Sequence, residues 1–394
     1  MQSFFPYEVY PKTVQTLDKF TLPIELPKTG QMTALDIYME AKNGSDQSNE
    51  KTYHNINNFM FQNVTKLELT GDGVDKIFSL SGPALMKYLW WVQGKCPLGY
   101  YSGRSGQTQW QKFRYLFGRS FGDKDYLLNL GKYRRLVLEL SYDLATVTAV
   151  GNDGFTTQTA GFHVVGHMTP PGKSMSSKGA RRVVERKSFT SLASGETEWE
   201  FVQDYPYTGI GIYARERGED DGADITNVKL DLGAGMPVLY DYSWLETERL
   251  MASMKEIDAT FHQYQSIKDQ SQIETWVGND WHEHAMGFYE PAATDYSHTL
   301  MIAQDNPGDY VKYHVIGNTT DAPSTWAAVS TYVRAKLSNR GYSVGNFLYL
   351  PLADYPDWNN PLLPTEVGDA LLRLTNGGAG ATVNILSEQI IPQV

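Results

Sequence analysis

A short unit of sequence occurs twice in this chain, first at Thr65–Ser81 (TKLELTGDGVDKIFSLS) and again, 162 to 163 residues later, at Val228–Ser243 (VKLDLGAGMPVLYDYS). In each copy leucines alternate with polar residues, which is typical of a strand with one buried face. A glycine-containing tripeptide follows and supplies the positive φ angles of a tight turn before a second apolar run. We therefore predict the same strand–turn–strand hairpin in each half of the chain.

A helical pattern follows the first hairpin. Its apolar residues are spaced four and three apart, at Leu85, Leu89 and Val92. We predict that Ser81 caps this helix, and Pro83 suits its first turn, where a missing N–H has no partner to lose. The period changes from two to about 3.6 at the serine, so the strand is expected to end there.

The second hairpin is followed by a helical pattern of the same kind. The segment SWLE predicts a capping box, in which Ser243 and Glu246 each satisfy a backbone N–H of the other. Leu250, Met254 and Ile257 predict the apolar stripe of this helix. Each half thus reads as strand, turn, strand, serine cap and helix.

A second pattern is also repeated, with identical spacing. It consists of Asp123, Leu128, Leu138, Leu140 and Ser141 in the first half, and of Asp357, Leu362, Leu372, Leu374 and Thr375 in the second. The offset here is 234 residues, so the second half carries about 70 extra residues between its two motifs. Two patterns repeated in the same order predict a duplicated β-domain. One large irregular β-protein with similar strands is the alternative.

Composition agrees with a β-protein. Aromatic residues make up 13% of the 394 residues, accompanied by 35 Gly and 18 Pro, which is typical of short strands joined by turns. About eight strand candidates fall in each half. We predict an all-β fold of two tandem eight-stranded antiparallel jelly rolls, residues 1–172 and 173–394, with a short helix in each half and long inter-strand loops. The linker is Pro170–Ala180, and a long inserted loop region spans about residues 260–340.

Charge and cysteine content exclude several classes of protein. The net charge is −11, whereas nucleic-acid binding normally requires a basic face. The most basic segment, Arg181–Lys187 (RRVVERK), is interpreted as the start of a strand, so we expect no direct sequence-specific binding of nucleic acid. Cys96 is the single cysteine, which excludes an intrachain disulfide. We predict no signal peptide at the N-terminus, and no apolar run is long enough for a transmembrane helix.

Four segments carry residue types found in active or metal sites. They are His282 and His284 (WHEHAM), the acidic segment Glu216–Asp224, the acid pair Glu196 and Glu198, and the glycine-rich Ser102–Gln107. None has the complete ligand set or spacing of a known metal motif, nucleophile elbow or phosphate loop. We therefore predict no catalytic, cofactor-binding or metal-ligating residue, and no cofactor.

Three further segments carry a resemblance to a known family. They are Thr21–Glu40 (TLPIELPKTGQMTALDIYME), the FGxxxGD pattern at Phe117–Asp123, and Leu372–Gln389 (LRLTNGGAGATVNILSEQ). With the helix after the middle strands of each half, they resemble double jelly-roll major capsid proteins of tailless icosahedral double-stranded DNA viruses, the lineage of adenovirus hexon and the tectiviruses. This chain lacks the long Gln-rich or helical N-terminal arm of that family, so we expect no membrane contact through such an arm.

The resemblance implies a structural protein of the virion without catalytic activity. In that family three chains form a trimer of six similar wedges, a pseudo-hexameric capsomer that tiles an icosahedral shell. It also implies lattice contacts with neighbouring capsomers, contacts with minor capsid and vertex proteins, an internal membrane beneath the shell, and assembly in the host cytoplasm. Outward towers are expected from Thr260–Arg340 and Gly99–Gln111. Two alternatives remain open: a carbohydrate-binding or carbohydrate-active β-sandwich, lectin or glycoside hydrolase, and a minor vertex or spike protein.

Overall fold

The structure is a computed structural model. It describes residues 4–42, 44, 53–54, 60, 63–95, 97–100, 106, 108–144, 155–215, 222–233, 238–255, 344, 347–366 and 368–392. Between 256 and 343 it also describes the backbone of six strands, within residues 261–267, 273–278, 285–290, 300–306, 310–316 and 333–339. All statements below refer to these residues.

The first half of the described chain forms two four-stranded antiparallel layers with short additions. Its strands are β1 (Phe5–Val14), β2 (Lys19–Glu25), β3 (Gln31–Lys42), β4 (Tyr53–His54), β5 (Val64–Gly71), β6 (Asp75–Leu80), β7 (Gly99–Tyr100), β8 (Thr108–Leu116), β9 (Leu128–Asn129), β10 (Leu136–Asp143) and β11 (Gly161–Met168). One layer has the order β1–β11–β3–β8–β7, with β9 on β3, and the other has the order β2–β10–β5–β6. Apart from the hairpins β5–β6 and β7–β8, neighbours in each layer come from distant parts of the chain, as in a jelly roll.

The second half repeats this arrangement strand for strand. Its strands are β12 (Ala180–Thr190), β13 (Glu196–Glu200), β14 (Tyr207–Arg215), β15 (Ile225–Asp231), β16 (Val238–Ser243), β17 (Phe261–Ile267), β18 (Ile273–Gly278), β19 (Ala285–Glu290), β20 (Leu300–Asn306), β21 (Tyr310–Ile316), β22 (Val333–Asn339), β23 (Phe347–Pro351), β24 (Leu371–Asn376) and β25 (Thr382–Ile391). The layer β12–β25–β14–β23 corresponds to β1–β11–β3–β8, and β13–β24–β15–β16 corresponds to β2–β10–β5–β6. The predicted all-β fold of two jelly rolls is confirmed.

In each jelly roll, the strand that carries the second repeated pattern pairs with the first strand of the repeated hairpin. Leu138 of β10 lies opposite Leu69 of β5, and Leu372 of β24 lies opposite Leu230 of β15. A letter-by-letter match of the two hairpins would instead align Leu69 with Leu232. The difference is two residues, which keeps the same side chains facing the core because strand side chains alternate with a period of two.

A short helix follows the hairpin in each half: α1 (Gly82–Gln93) and α2 (Trp244–Met254). The predicted capping box of α2 is confirmed, with Glu246 N donating to Ser243 Oγ at 3.3 Å and Ser243 N donating to Glu246 Oε2 at 3.0 Å. Pro83 lies in the first turn of α1, as predicted. Ser81 occupies the N-cap position of α1, as predicted, but its hydroxyl accepts no bond from the helix and instead accepts one of 3.2 Å from Asn384 Nδ2 of the second half.

The predicted apolar stripe of α2 is confirmed only in part, because Leu250 packs against the apolar core. Met254 is 38% exposed and Leu250 is only half-buried, and Ile257 lies outside the described residues. The buried face of α2 is formed by Trp244, Thr247, Glu248 and Met251. The predicted stripe omits Trp244, although Trp244 is the bulkiest side chain of α2 and determines which face of the helix is buried.

The predicted insertion near residues 260–340 contains six strands among its described residues. One sheet has the order β17–β22–β19, and another has the order β20–β21–β18–β4. Strand β4 comes from the first half and pairs in parallel with β18. The side chains of this stretch lie outside the described residues, as does most of the smaller predicted tower between β7 and β8.

Buried apolar side chains from both halves belong to one connected cluster within the described residues. It extends from Leu67 and Leu140 in the first jelly roll to Leu230 and Leu374 in the second. The predicted linker Pro170–Ala180 contains no regular strand before Ala180. None of the described helices combines the length and apolar character needed to cross a membrane.

Candidate assembly interface

The two jelly rolls are joined edge to edge. Strand β6 of the first pairs in parallel with β12 of the second, with Phe78–Ser79 opposite Val183–Val184. This pairing makes one continuous eight-stranded sheet, β2–β10–β5–β6–β12–β25–β14–β23. Arg182 Nε adds a hydrogen bond of 2.7 Å to the carbonyl oxygen of Lys76. We call this contact the β6–β12 junction.

A buried ion pair lies beside the β6–β12 junction. Arg181 is 4% exposed and its Nε lies 3.9 Å from Glu388 Oε1. Thr208 Oγ1 donates to the same carboxylate at 2.9 Å, and the hydroxyl of Tyr88, from α1, donates to its other oxygen. Burial raises the pKa of Tyr88 well above its usual value, so the hydroxyl keeps the proton that it donates. The carboxylate is therefore held by groups from both jelly rolls.

Arg181 is only partly satisfied. Within the described residues, its Nε and Nη1 atoms have no hydrogen-bond partner, and its guanidinium lies 4.7 Å from the ring centre of Trp358. A cavity of about 30 Å³ borders Arg181, Glu388 and Tyr355. Such a volume suits one water molecule, which could supply a missing acceptor.

The two helices are also tied together near this pair. Lys255, which follows α2, donates from Nζ to the carbonyl oxygens of Trp91 and Val92, the latter at 2.7 Å. These carbonyls lie at the C-terminal end of α1, where a cation is favoured. Burial, with Arg181 nearby, lowers the pKa of Lys255 to about 8. Trp91 also stacks on Tyr349 of β23, with ring centres 5.2 Å apart.

The two repeated aspartates, Asp123 and Asp357, meet at Arg119. Arg119 Nε lies 2.8 Å from Asp123 Oδ2, and its Nη2 lies 3.1 Å from Asp125 Oδ2. Arg119 Nη1 donates to the backbone carbonyl of Asp357 at 3.3 Å. The spacing pattern placed one aspartate in each jelly roll but gave no indication that one arginine contacts both.

Comparison with known proteins gives a result for structure and none for sequence. No protein-family model and no curated protein matches the chain. The solved structure of the major capsid protein of Sulfolobus turreted icosahedral virus (STIV) is similar over 100% of this chain and 98% of its own, at a TM-score of 0.56 and 9% identity. The atomic structure of the STIV particle gives a TM-score of 0.57 at 9% identity, over 100% of this chain and 92% of that one. PBCV-1 VP54, fitted into a reconstruction of the virophage Sputnik, gives 0.51 at 7% identity, over 98% and 93%.

The chain has the double jelly-roll fold of viral major capsid proteins. At these identities the likeness establishes the fold, and it extends over nearly the full length of both chains. The β6–β12 junction is thus the contact between the two rolls of a double jelly roll.

The residues at the centre of this double jelly roll were not singled out from sequence. The segment Arg181–Lys187 was interpreted as the start of a strand, and β12 confirms this. The available signal is the polar triplet Ser387–Gln389, which lies between apolar residues of β25 and contains a charged side chain, Glu388, that is only 2% exposed. A buried charge requires a partner, but the sequence does not identify Arg181 or Tyr88 as that partner.

The segments weighed as chemical sites are only partly described. Glu196 and Glu198 are both exposed on β13, and Glu198 forms an ion pair of 2.9 Å with Arg373 Nε. Among the described residues no group of three or more His, Cys, Asp or Glu side chains could hold a metal ion. Outside the described residues lie His282, His284, Cys96, 216–221, and 102–107 except Gly106.

An aromatic cleft of about 260 Å³ opens on the first jelly roll. It is lined by Tyr38, Glu40, Trp110 and His163, with Lys12 at its side. Tyr38 stacks on His163 with ring centres 5.4 Å apart, and Lys12 Nζ lies 2.7 Å from Glu40 Oε2. Exposed aromatic faces beside a carboxylate are groups that can hold a sugar ring by stacking and hydrogen bonding.

Proposed function

We propose that this chain is a structural major capsid protein of an icosahedral double-stranded DNA virus and has no catalytic role. In this proposal three chains form a trimer whose six jelly rolls make a pseudo-hexameric capsomer, and capsomers tile the shell. The observation that supports it is the edge-to-edge joining of two rolls with the same strand order, over the whole length of a fold found in viral major capsid proteins. A duplicated domain lets a three-fold object present six similar sides.

The proposal extends to partners and place. The boundary between the rolls is put at residues 172 and 173, within the strand-free segment before β12. The protein would be found in the virion, assembled in the host cytoplasm, with contacts to neighbouring capsomers and to minor capsid and vertex proteins. The net charge of −11 agrees with a shell that does not bind the genome directly.

Native mass spectrometry and sedimentation velocity of the full chain test the proposal. We expect a stable species of three times the 44.3 kDa chain mass, and electron microscopy of virions should show it as the most abundant shell protein. A chain that remains monomeric at all concentrations contradicts the proposal. A trimer present in only a few copies per particle would instead indicate a minor vertex or spike protein.

The aromatic cleft favours a second candidate function, the binding of a carbohydrate. A glycan array with the full chain would detect it, and Trp110→Ala should weaken binding at least about tenfold because a stacking face is lost. Phe20→Ala is the matched control, because Phe20 is as exposed as Trp110 (38% and 37%) but lies on the other sheet. Hydrolysis of a bound glycan would indicate an enzyme, and the absence of any glycan binding would exclude this candidate.

A further inference from the structure

Strand β6 and its counterpart β16 differ sharply in burial. In the first jelly roll, β6 pairs with β12 and the four residues from Ile77 to Leu80 are all buried. In the second, β16 pairs only with β15 among the described strands. Its side chains Val238, Leu239 and Tyr242 are 44%, 41% and 46% exposed. The same strand of the jelly roll is therefore covered by a neighbouring strand in the first half, as β6, and exposed in the second half, as β16.

The helices that follow these strands show the same difference. Every residue from Ala84 to Trp91 of α1 is buried, because the helix packs against β5 and β8 of its own jelly roll and also against β14 and β23 of the second. Among the described residues helix α2 is less covered than α1, and its Leu245 and Met254 are about 40% exposed. The open edge of β16 and the outer side of α2 thus both carry exposed apolar side chains, together with the exposed charges of Asp241, Glu246 and Arg249. We call these two elements together the β16 edge.

The first jelly roll also has a strand that is uncovered where its counterpart in the second is buried. The first residues of β12, from Ala180 to Val184, are buried against the first jelly roll. Strand β1 is the counterpart of β12, and at the same end it pairs with the last residues of its neighbour β11. There Phe5 and Tyr7 are 43% and 51% exposed. We call this surface the β1 edge.

We propose that the β16 edge of one chain binds the β1 edge of a second copy, in the way that β6 binds β12 within the chain. The partner is a second copy because the covering element is already present in the molecule: β12 fits against β6, and β1 and β16 are their counterparts. Both open edges carry exposed apolar side chains, which are uncommon as contiguous patches on monomers. The contact joins unlike surfaces, so it can be repeated head to tail.

This inference rests on the proposed function, because three head-to-tail contacts would close the trimer. It goes further by identifying the β16 edge and the β1 edge as the surfaces through which the three chains contact one another. It also predicts that neither edge binds its own kind, since the internal contact that it copies joins two different strands.

Two charge-bearing variants test the inference in the full chain. Leu239→Asp with Tyr242→Asp places carboxylates in the β16 edge, and Phe5→Asp with Tyr7→Asp does so in the β1 edge. Each should reduce the species of three chain masses to a monomer, with unchanged circular dichroism. Val74→Asp is the matched control, because Val74 is 83% exposed in the turn between β5 and β6, away from both edges, and should remain trimeric.

Mixing the two variants gives the sharpest result. Each retains one intact edge, so an equimolar mixture should form a dimer of one chain of each kind and no trimer. Retention of the trimer by either variant, self-dimerisation of either variant alone, or a mixture that stays monomeric overturns the inference and leaves the proposed function standing. A wild-type chain that is itself monomeric overturns the proposed function.

Cross-linking tests the same pairing in chains that carry no new charge. In a Cys96→Ser background, Tyr7→Cys and Leu239→Cys chains are mixed and treated with a short bismaleimide. Cross-links should form between unlike chains. Cross-links only between like chains would overturn the head-to-tail pairing.

Discussion

Two buried carboxylates in the first jelly roll are each held by several cations or donors. Asp36 receives two bonds from Arg114, at 2.6 and 2.8 Å, with Lys112 and His167 also in contact. Burial alone would raise the pKa of Asp36, but these hydrogen bonds outweigh it and keep the pKa well below its usual range. Glu68 is the second case. Burial again opposes ionisation, and hydrogen bonds from Lys66, Ser79 and Lys76 lower its pKa to about 2.

Glu68→Gln should destabilise the fold in a pH-dependent way. Because the pKa of Glu68 is lower in the folded state, its ionised form stabilises the fold above the ordinary pKa of 4.5, and this is lost as the pH falls towards about 2. We expect a loss of about 1–3 kcal/mol at pH 7 that shrinks markedly by pH 3, measured by urea unfolding. Glu196→Gln, at an exposed position, should change little. A loss for Glu68→Gln that is equal at both pH values would contradict this assignment.

At the scale of elements, the two helices occupy equivalent places but begin differently. Ser243 forms a complete capping box, whereas the hydroxyl of Ser81 contacts Asn384 and the backbone N–H of Ser81 donates to Glu185 Oε2 at 3.2 Å. Helix α1 is stabilised by burial on nearly all sides. Helix α2 is more exposed and depends more on its own cap.

Ser243→Ala should therefore lower the free energy of unfolding by about 0.5–2 kcal/mol, because an N-cap hydroxyl is lost. Ser243→Thr should restore most of the loss, since threonine also caps. Ser253→Ala, near the exposed C-terminal end of α2, serves as the control in thermal and urea unfolding. An effect of Ser253→Ala as large as that of Ser243→Ala would show that the cap is not the cause.

At the scale of the whole molecule, the two jelly rolls are joined by one eight-stranded sheet and by a large apolar cluster of residues from both halves. Separate unfolding of the first jelly roll would expose the buried face of β12 and remove the Tyr88 donor of Glu388, and separate unfolding of the second would expose the buried face of α1. We therefore expect one calorimetric transition for the full chain, with van't Hoff and calorimetric enthalpies that agree. Two resolved transitions would contradict cooperative unfolding of the two rolls.

Tyr88→Phe probes the junction directly. It removes a hydroxyl that donates to the buried Glu388 carboxylate, and we expect a loss of about 1.5–3 kcal/mol, as for a bond to a charged group. Tyr142→Phe is the matched control, because Tyr142 is also buried but donates to the neutral carbonyl of Leu17. A smaller loss for Tyr88→Phe than for Tyr142→Phe would show that the carboxylate does not depend on this donor.

Strands in which apolar and polar side chains alternate regularly could be predicted from the sequence. An edge strand that contains prolines, such as β1, could not. Leu138 and Leu140 alternate with exposed positions, and β10 forms there. Strand β1 gives no such pattern, because Pro6 and Pro11 interrupt it. Proline is nevertheless tolerated in an edge strand, where one side has no ladder bond to lose, and β1 lies at the edge of its sheet.

The junction could not be predicted for a different reason. The parallel pairing of Phe78 with Val183 joins segments more than 100 residues apart. The alternation of apolar and polar residues in one segment does not indicate that the other is its pairing partner. The unexpected hydrogen bond of Ser81 has the same origin, because its partner Asn384 belongs to the other jelly roll. Local patterns specify which residues face a core, while contacts between cores depend on the whole fold.

The joining of both jelly rolls in one chain sets an order of events in time. Strands β6 and β12 meet within a single molecule, at an effective concentration of the order of millimolar that is independent of how much protein is present. A contact between copies depends instead on the amount of subunit that has accumulated. The β6–β12 junction therefore forms first, during or soon after synthesis. The edges at β1 and β16 stay exposed until the concentration of the chain is high enough for copies to associate. The time at which copies of the chain associate then depends on how fast the expressed protein accumulates.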